Sequence, residues 1–393
     1  MTWTWGKYYG GETLDSLIEG GHDGTSPLSA SWSCNTAQKV TGVASLYAVD
    51  AGAGLAPVTC SNSLDMIQGW FRVGGNPSVA GPFLGHNVDS GDFCYLELGT
   101  DRRLRFRSYN DVNGVRYSPW SVGTLASSGW THITLIIDRL TLGINHTLGI
   151  LYIDKLHEMT WDTGGNHYGT TFGKLGTGVT EVDLYVDDLC GAVSTTATDA
   201  PHLATIPVGK VLVQHPASDT ADNDWTRSSG AGTWASHWDD GAAGANDGDT
   251  TYLSNPASPP QHQYSTMQSR ATVGIPAGAT ICHSAAGKGP AHSFVHRVEV
   301  GGTKYNVASV TSLSAGVGQS NPGTTYVGIR NLPLRTGGGS WAPADLDSLT
   351  AGFYTTGTHD MVERVTSQMI QWLYTDESLP LAPAPMIPQG SVV

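Results

Sequence analysis

The sequence predicts an all-β protein: two β-sandwich, jelly-roll-like domains followed by an extended proline-rich tail. Three observations point there. The chain of 393 residues carries 50 Gly and 20 Pro but only 20 Lys and Arg together, which suits short strands and tight turns rather than long helices. Apolar residues recur at period two in one segment after another, the signature of half-buried strands. A chain of this length also exceeds what one hydrophobic core usually serves, so two domains are expected.

The elements follow in order. Ile67, Phe71 and Val73 alternate with Gln68, Trp70 and Arg72, and Cys94, Leu96 and Leu98 alternate with Phe93, Tyr95 and Glu97. Leu104 and Phe106 sit between Arg103, Arg105 and Arg107, giving one apolar and one basic face. Residues 130–138 form a strand, and Leu148 to Lys155 is apolar enough for a strand buried on both faces, the two making a central hairpin. Glu181 to Asp188 alternates again. A Thr-, Ala- and Pro-containing stretch at 196–207 reads as a linker between domains at 1–195 and 208–378.

In the second half, Val208 to Val213 is a strand, and the Gly- and Asp-rich region 218–260, with Trp225, Trp234, Trp238 and Tyr252, reads as a long ordered loop. Ala271 to Ile275 is a strand ending in a Pro276-Ala277-Gly278 turn. Phe294, His296, Val298 and Val300 mark the next one, and Gly301-Gly302 is a two-residue hairpin turn leading into Lys304 to Val307. Strands are further expected at 326–332 and 349–354. Residues 362–374 fit both periods, with strand preferred, and 379–393 is the extended tail.

Gly129-Trp130-Thr131-His132, Leu151-Tyr152-Ile153-Asp154-Lys155 and Val182 to Asp188 together resemble the laminin-G-like concanavalin A jelly roll, over about residues 8–195. The second half, through Asp247 to Leu253, Val273 to Ile281 and Val362 to Thr375, resembles a β-sandwich module of tailed-phage head and tail proteins. The resemblances imply a phage virion structural protein that decorates the capsid or tail exterior, with other virion proteins as partners and a homo-oligomeric arrangement. The alternative they imply is a carbohydrate-binding adhesin recognising a host surface glycan through the jelly roll. Some concanavalin A-like folds are glucanases with an E-x-D-x-(x)-E strand. Here Glu181 and Asp183 have that rhythm, but Tyr185 or Val186 stands at the second Glu and Asp187 falls too far along.

The formal net charge of −14 argues against nucleic acid as a partner. The absence of an apolar run of about 18 residues argues against membrane insertion, and the start Met1-Thr2-Trp3 lacks a signal-peptide pattern, so synthesis in a cytoplasm is expected; the phage resemblance implies that this is the host's and that the protein resides in the virion. The five cysteines, Cys34, Cys60, Cys94, Cys190 and Cys282, are scattered without a CxxC pair and read as buried thiols. No nucleophile elbow or phosphate loop is present: Lys288 lacks the spacing, and His157-Glu158 is not followed by a second His. The expectation is therefore a protein that is not an enzyme, with no catalytic, cofactor-binding or metal-binding residue assigned and no cofactor.

The acidic groups Asp219, Asp222, Asp224 and Asp239, Asp240, Asp247, Asp249 suit turns, with calcium as the alternative ligand. His292 and His296 share a face without a third ligand. The arginine strand reads as a solvated face or a dock for an acidic partner. Trp225 to Trp238 reads as core aromatics, or alternatively as a platform for sugars.

Overall fold

The computed structural model describes residues 3–9, 32–40, 45–48, 58–59, 64–86, 93–110, 114–141, 146–164, 171–175, 182–194, 205–238, 253–254, 262–269, 275–287, 292–313, 326–331, 341–356 and 363–380. The first half forms β1 (Thr4–Tyr9), β2 (Trp32–Asn35), β3 (Ser45–Ala48), β4 (Val58–Thr59), β5 (Leu64–Val73), β6 (Gly81–His86), β7 (Phe93–Leu98), β8 (Leu104–Asn110), β9 (Gly114–Tyr117), β10 (Thr131–Asp138), β11 (Leu148–Ile153), β12 (Leu156–Asp162), β13 (Thr171–Leu175) and β14 (Leu184–Ser194). The second half forms β15 (Thr205–Gln214), β16 (Pro216–Asn223), β17 (Thr226–Arg227), β18 (Leu253–Ser254), β19 (His262–Met267), β20 (Ile275–Gly287), β21 (His292–Val300), β22 (Thr303–Leu313), β23 (Tyr326–Asn331), a short helix α1 (Pro343–Asp347), β24 (Thr350–Thr356) and β25 (Glu363–Pro380). The chain is all-β, as its alternation predicts.

Among the described residues the strands pair into four antiparallel sheets. An eight-stranded sheet runs β12-β11-β10-β5-β14-β3-β2 with β1 also on β14, and a six-stranded sheet runs β4-β13-β6-β7-β8-β9. Their facing sides enclose Ile67, Phe71, Leu96, Leu98, Leu104, Phe106, Ile133 and Leu135 in one core. Alternate residues of β5 and β10 therefore point inward, as period two requires. The centre of the large sheet is β10-β5-β14, so of the expected central hairpin β10 is central and β11 lies one strand further out.

The second sandwich packs β17-β18-β25-β20-β23, with β15 on β25, against β16-β19-β24-β21-β22. Met267, Val298, Leu346, Ala351, Ile370 and Trp372 fill its centre, and Trp225, Trp238, Leu253 and Phe353 fill one end. The 218–260 region is thus not one long loop: it holds β16, β17, a 3-10 turn at Ala235–His237 and β18, and its tryptophans serve the core.

Three other expectations change. Pro276 to Gly278 lies inside β20 as a register shift against β25 rather than ending the strand. Strand β15 begins at Thr205, within the stretch read as linker, and Thr205 and Ile206 pair with Pro380 and Leu379, the first two residues of the expected tail. Residues 381–393 lie outside the described residues. From Glu363 on, the ambiguous 362–374 segment is strand, part of β25, which pairs with both β15 and β20. The Gly301-Gly302 turn forms as predicted, with φ of 55° and 78°.

The two sandwiches touch through the outer face of the eight-stranded sheet. Met66, Ile136, Ile150, Tyr152 and Ala192 pack there with Ile206 and Val208 of β15, and Cys190 packs with Val211, Val213 and Leu373. This is why β11 is buried at every position and why Leu148 to Ile153 is apolar on both faces.

Candidate functional site

Phe93, Tyr95 and Glu97 of β7 face away from the core, opposite Tyr109, Arg107 and Arg105 of β8 in register. On the far side of β8, Arg107 stands opposite Tyr117 and Tyr109 opposite Val115 of β9. The outward face of the six-stranded sheet thus gathers four aromatic rings, Phe93, Tyr95, Tyr109 and Tyr117, from three neighbouring strands around Arg105 and Arg107.

Arg105 lies between two rings, 4.2 Å from the centroid of Tyr117 and 4.2 Å from that of Trp120, a cation held by both π faces. Its Nε donates to Glu97 at 2.5 Å. Arg107 donates to the Tyr95 hydroxyl at 2.7 Å and sits 5.5 Å from the Phe93 ring, and its own Nε is buried without a hydrogen-bond partner. Phe93 stacks on Tyr95 at 5.0 Å and on Tyr109 at 5.7 Å. Burial raises the Tyr95 pKa, with Arg107 partly opposing it, so the phenol stays protonated at neutral pH.

Gly85 makes room for this arrangement: a Cβ there would meet the Tyr95 Cα at 2.4 Å, so a side chain in β6 would push Tyr95 out of the face. At the rim, Tyr117 is 46 % exposed, leaving ring surface open to solvent. A face of this kind offers flat apolar surfaces together with planar donors, which suits a ligand having both C–H faces and acidic or hydroxyl oxygens.

The other sequence candidates fall elsewhere. Glu181 lies outside the described residues. Asp183 lies beside Gly74, just before β14 begins, and accepts that glycine's N–H on its backbone carbonyl at 2.8 Å. Asp187 is buried and accepts from the Val40 N–H at 2.6 Å and the Asp188 N–H at 2.9 Å, fixing the irregular step in β14. Asp219 accepts from the Ala235 N–H at 2.8 Å, Asp224 from the His262 N–H at 2.8 Å, and Asp222 pairs with Lys304 at 3.1 Å. These carboxylates shape turns and strand edges and do not converge on one point.

Asp239, Asp240, Asp247, Asp249 and Lys288 lie outside the described residues, as do the side chains of His292 and His296. Cys94 and Cys190 are buried free thiols, Cys94 with its pKa pushed up to about 12 by burial. Sequence reading found the arginines but not their aromatic partners, because Tyr95 and Tyr117 come beside β8 through strand register and Trp120 through the segment after β9, whose Ser118 and Ser121 N–H groups donate to Phe106 and Leu104.

No protein-family model matches the sequence, and no curated protein matches it. Similar solved structures include an endo-β-1,4-glucuronan lyase from the fungus Trichoderma reesei, at 11 % identity, covering 49 % of this chain and 96 % of that one, with a TM-score of 0.34. Domain 4 of an extracellular arabinanase from Geobacillus stearothermophilus, in complex with arabinotriose, covers 50 % of this chain and 96 % of its own at 12 % identity and a TM-score of 0.33. A carbohydrate esterase of the Shiga toxin-encoding bacteriophage phi24B covers 49 % and 99 % at 12 % identity and a TM-score of 0.32. The expectation that the chain is not an enzyme is corrected by these comparisons, since its structural neighbours are mostly enzymes, at low identity and partial coverage.

Proposed function

We propose that this protein binds carbohydrate through the outward face of its six-stranded sheet, and that the glycan it recognises carries acidic groups. The observation that carries the reading is Arg105 clamped between Tyr117 and Trp120, with Arg107 and its unpartnered Nε alongside. Aromatic rings stack against the C–H faces of sugars, and guanidinium groups take carboxylate or sulfate oxygens. On the sequence resemblance, we place this binding on the exterior of a tailed-phage particle, as adhesion to a host surface glycan or as part of particle assembly.

A glycan array probed with the full chain tests the binding. Acidic glycans are expected to be retained, and Arg105→Ala or Tyr117→Ala to weaken retention by about tenfold or more, the scale of one desolvated cation–π or charge-assisted contact. Equal retention by wild type and both variants would remove the face from the reading. For the setting, purified phage particles labelled with an antibody to this chain should show regular label over head or tail in negative stain. Unlabelled particles would remove the virion from it.

A further inference from the structure

The second sandwich carries a different constellation on the outward face of its five-stranded sheet. In that sheet Tyr264 of β19, Gly352 of β24 and Arg297 of β21 stand side by side in register, with His262 opposite Tyr354 one row away. Tyr264 is 1 % exposed, and a Cβ on Gly352 would meet its Cδ1 at 2.6 Å, so the glycine lets the ring lie flat across the sheet. Arg297 stacks over Tyr354 at 4.6 Å, and the His262 ring lies 6.1 Å from that of Tyr264 and 5.6 Å from that of Tyr354.

Over this floor the two edges of the sheet meet. Asp222 on the first edge strand, β16, and Lys304 on the last, β22, form an ion pair at 3.1 Å, with the Lys304 Nζ 5.6 Å above the Tyr264 ring. Glu299 stands 3.9 Å from the same Nζ. The pair is about half exposed, at 42 % and 49 %, and such pairs are weakly held and exchange readily with other ions.

Beneath it, the buried Tyr264 hydroxyl has the Arg297 guanidinium beside it as a hydrogen-bond donor, and Nδ1 of His262 is buried without a hydrogen-bond partner. Arg297 nearby can only donate, so the phenolic hydrogen has no acceptor among the described residues. A buried donor of this kind is costly unless an acceptor arrives.

We infer that this face is a second binding site, for the carboxylate of an acidic sugar, in which the ligand's carboxylate displaces Asp222 from Lys304 and accepts from the Tyr264 hydroxyl, with Arg297 beside it and the sugar ring against Tyr354. Asp222 is the internal stand-in for the ligand. The sugar part of the inference rests on the glycan-binding reading above; the site itself shares no residue with the first face.

Calorimetric titration of the full chain with a glucuronic acid tetrasaccharide, against the matching glucose tetrasaccharide, tests it. Two binding events per chain are expected for the acidic probe. Arg105→Ala with Tyr117→Ala removes one. Tyr264→Phe, which keeps the ring over Gly352 and deletes only the hydroxyl, and Lys304→Met each weaken the other while the thermal transition is maintained. Asp222→Asn, by leaving Lys304 only its longer contact with Glu299, tightens that same event by about fivefold, the scale of one exposed ion pair. A single event that responds only to Arg105 and Tyr117 overturns the second site and leaves the first reading standing. A single event that responds only to Tyr264 and Lys304 does the reverse. Equal affinity of the second event for the neutral probe, or no gain in Asp222→Asn, overturns the carboxylate assignment.

Discussion

The side-chain amide of Gln68 in β5 pairs with the backbone of β15 as another strand would: its Oε1 accepts from the Gly209 N–H at 2.9 Å and its Nε2 donates to the Pro207 carbonyl at 2.7 Å. Two residues further, the Val211 N–H donates to Oδ1 of Asp188 at 3.1 Å. Among the described strands β15 pairs only with β25, so these positions form its second edge. Pro207 has no N–H to offer there, and the two N–H groups that follow are taken by side chains of the first sandwich. An otherwise open strand edge is thereby closed within the chain.

Gln68→Met is therefore expected to destabilise the fold more than its volume suggests. It leaves the buried Gly209 N–H unpaired, at about 1–3 kcal/mol, and the partly buried Pro207 carbonyl without its partner. Urea denaturation of the full chain measures the loss, and hydrogen exchange should show the Gly209 amide losing protection first. A loss under about 0.5 kcal/mol would mean that the edge finds other partners.

His132 gives the same contact region a pH dependence. Its ring is buried beside Trp70, 5.2 Å away, and neither nitrogen has a hydrogen-bond partner. Burial, helped by the charges of Lys155 and Lys210, lowers its pKa from 6.5 to about 3. The folded pKa lies below the unfolded one, so the stability held by the neutral ring is complete above pH 6.5 and drains away as pH falls toward 3. At pH 5 the loss is about 2 kcal/mol relative to pH 7. His132→Leu should flatten that slope in denaturation curves taken across the range. An unchanged slope would assign the acid sensitivity to other groups.

The sequence made the strands legible where one face is buried, as in Phe93 to Leu98 and Leu104 to Phe106, because alternation there follows directly from a single core. It also made Leu148 to Ile153 legible as doubly buried. It did not reveal what covers the second face, since Gln68, His132 and Asp188 are ordinary polar residues until β15 is laid against them. The candidate face was half visible for the same reason. Arg103, Arg105 and Arg107 are neighbours in sequence, whereas Glu97, Tyr117 and Trp120 join them only across strands. In the five-stranded sheet, Asp222 was visible only as one member of an acidic run, and its partner Lys304 is distant in sequence.

Gly149 of β11 lies directly against Phe106 of β8 in the facing sheet. A Cβ there would meet Cε1 of Phe106 at 2.5 Å, and that ring is itself stacked on Trp161 at 5.9 Å. The ring cannot retreat without disturbing the stack. Gly149→Ala is expected to cost about 1–3 kcal/mol by overpacking, despite the usual gain from replacing glycine in a strand. Gly149→Ala combined with Phe106→Leu should recover part of the loss, and thermal unfolding of the two variants compares them.

The turn from β11 to β12 offers a change in the opposite direction. Ile153 and Leu156 pair across a two-residue loop in which Asp154 has φ 46° and Lys155 φ 68°. Asp154 tolerates this through its side chain, which accepts the His132 N–H at 3.0 Å. At Lys155 the left-handed conformation costs a residue with a Cβ about 1–2 kcal/mol. Lys155→Gly should relieve that cost, offset in part by the greater freedom glycine gives the unfolded chain, for a net gain of up to about 1 kcal/mol. The substitution also removes one of the two cations that hold down the His132 pKa, so the acid limb of the stability curve should become shallower as the neutral-pH stability rises. Denaturation of Lys155→Gly at pH 7 and pH 5 reads both effects, and a gain at pH 7 with an unaltered acid limb would separate the turn from His132.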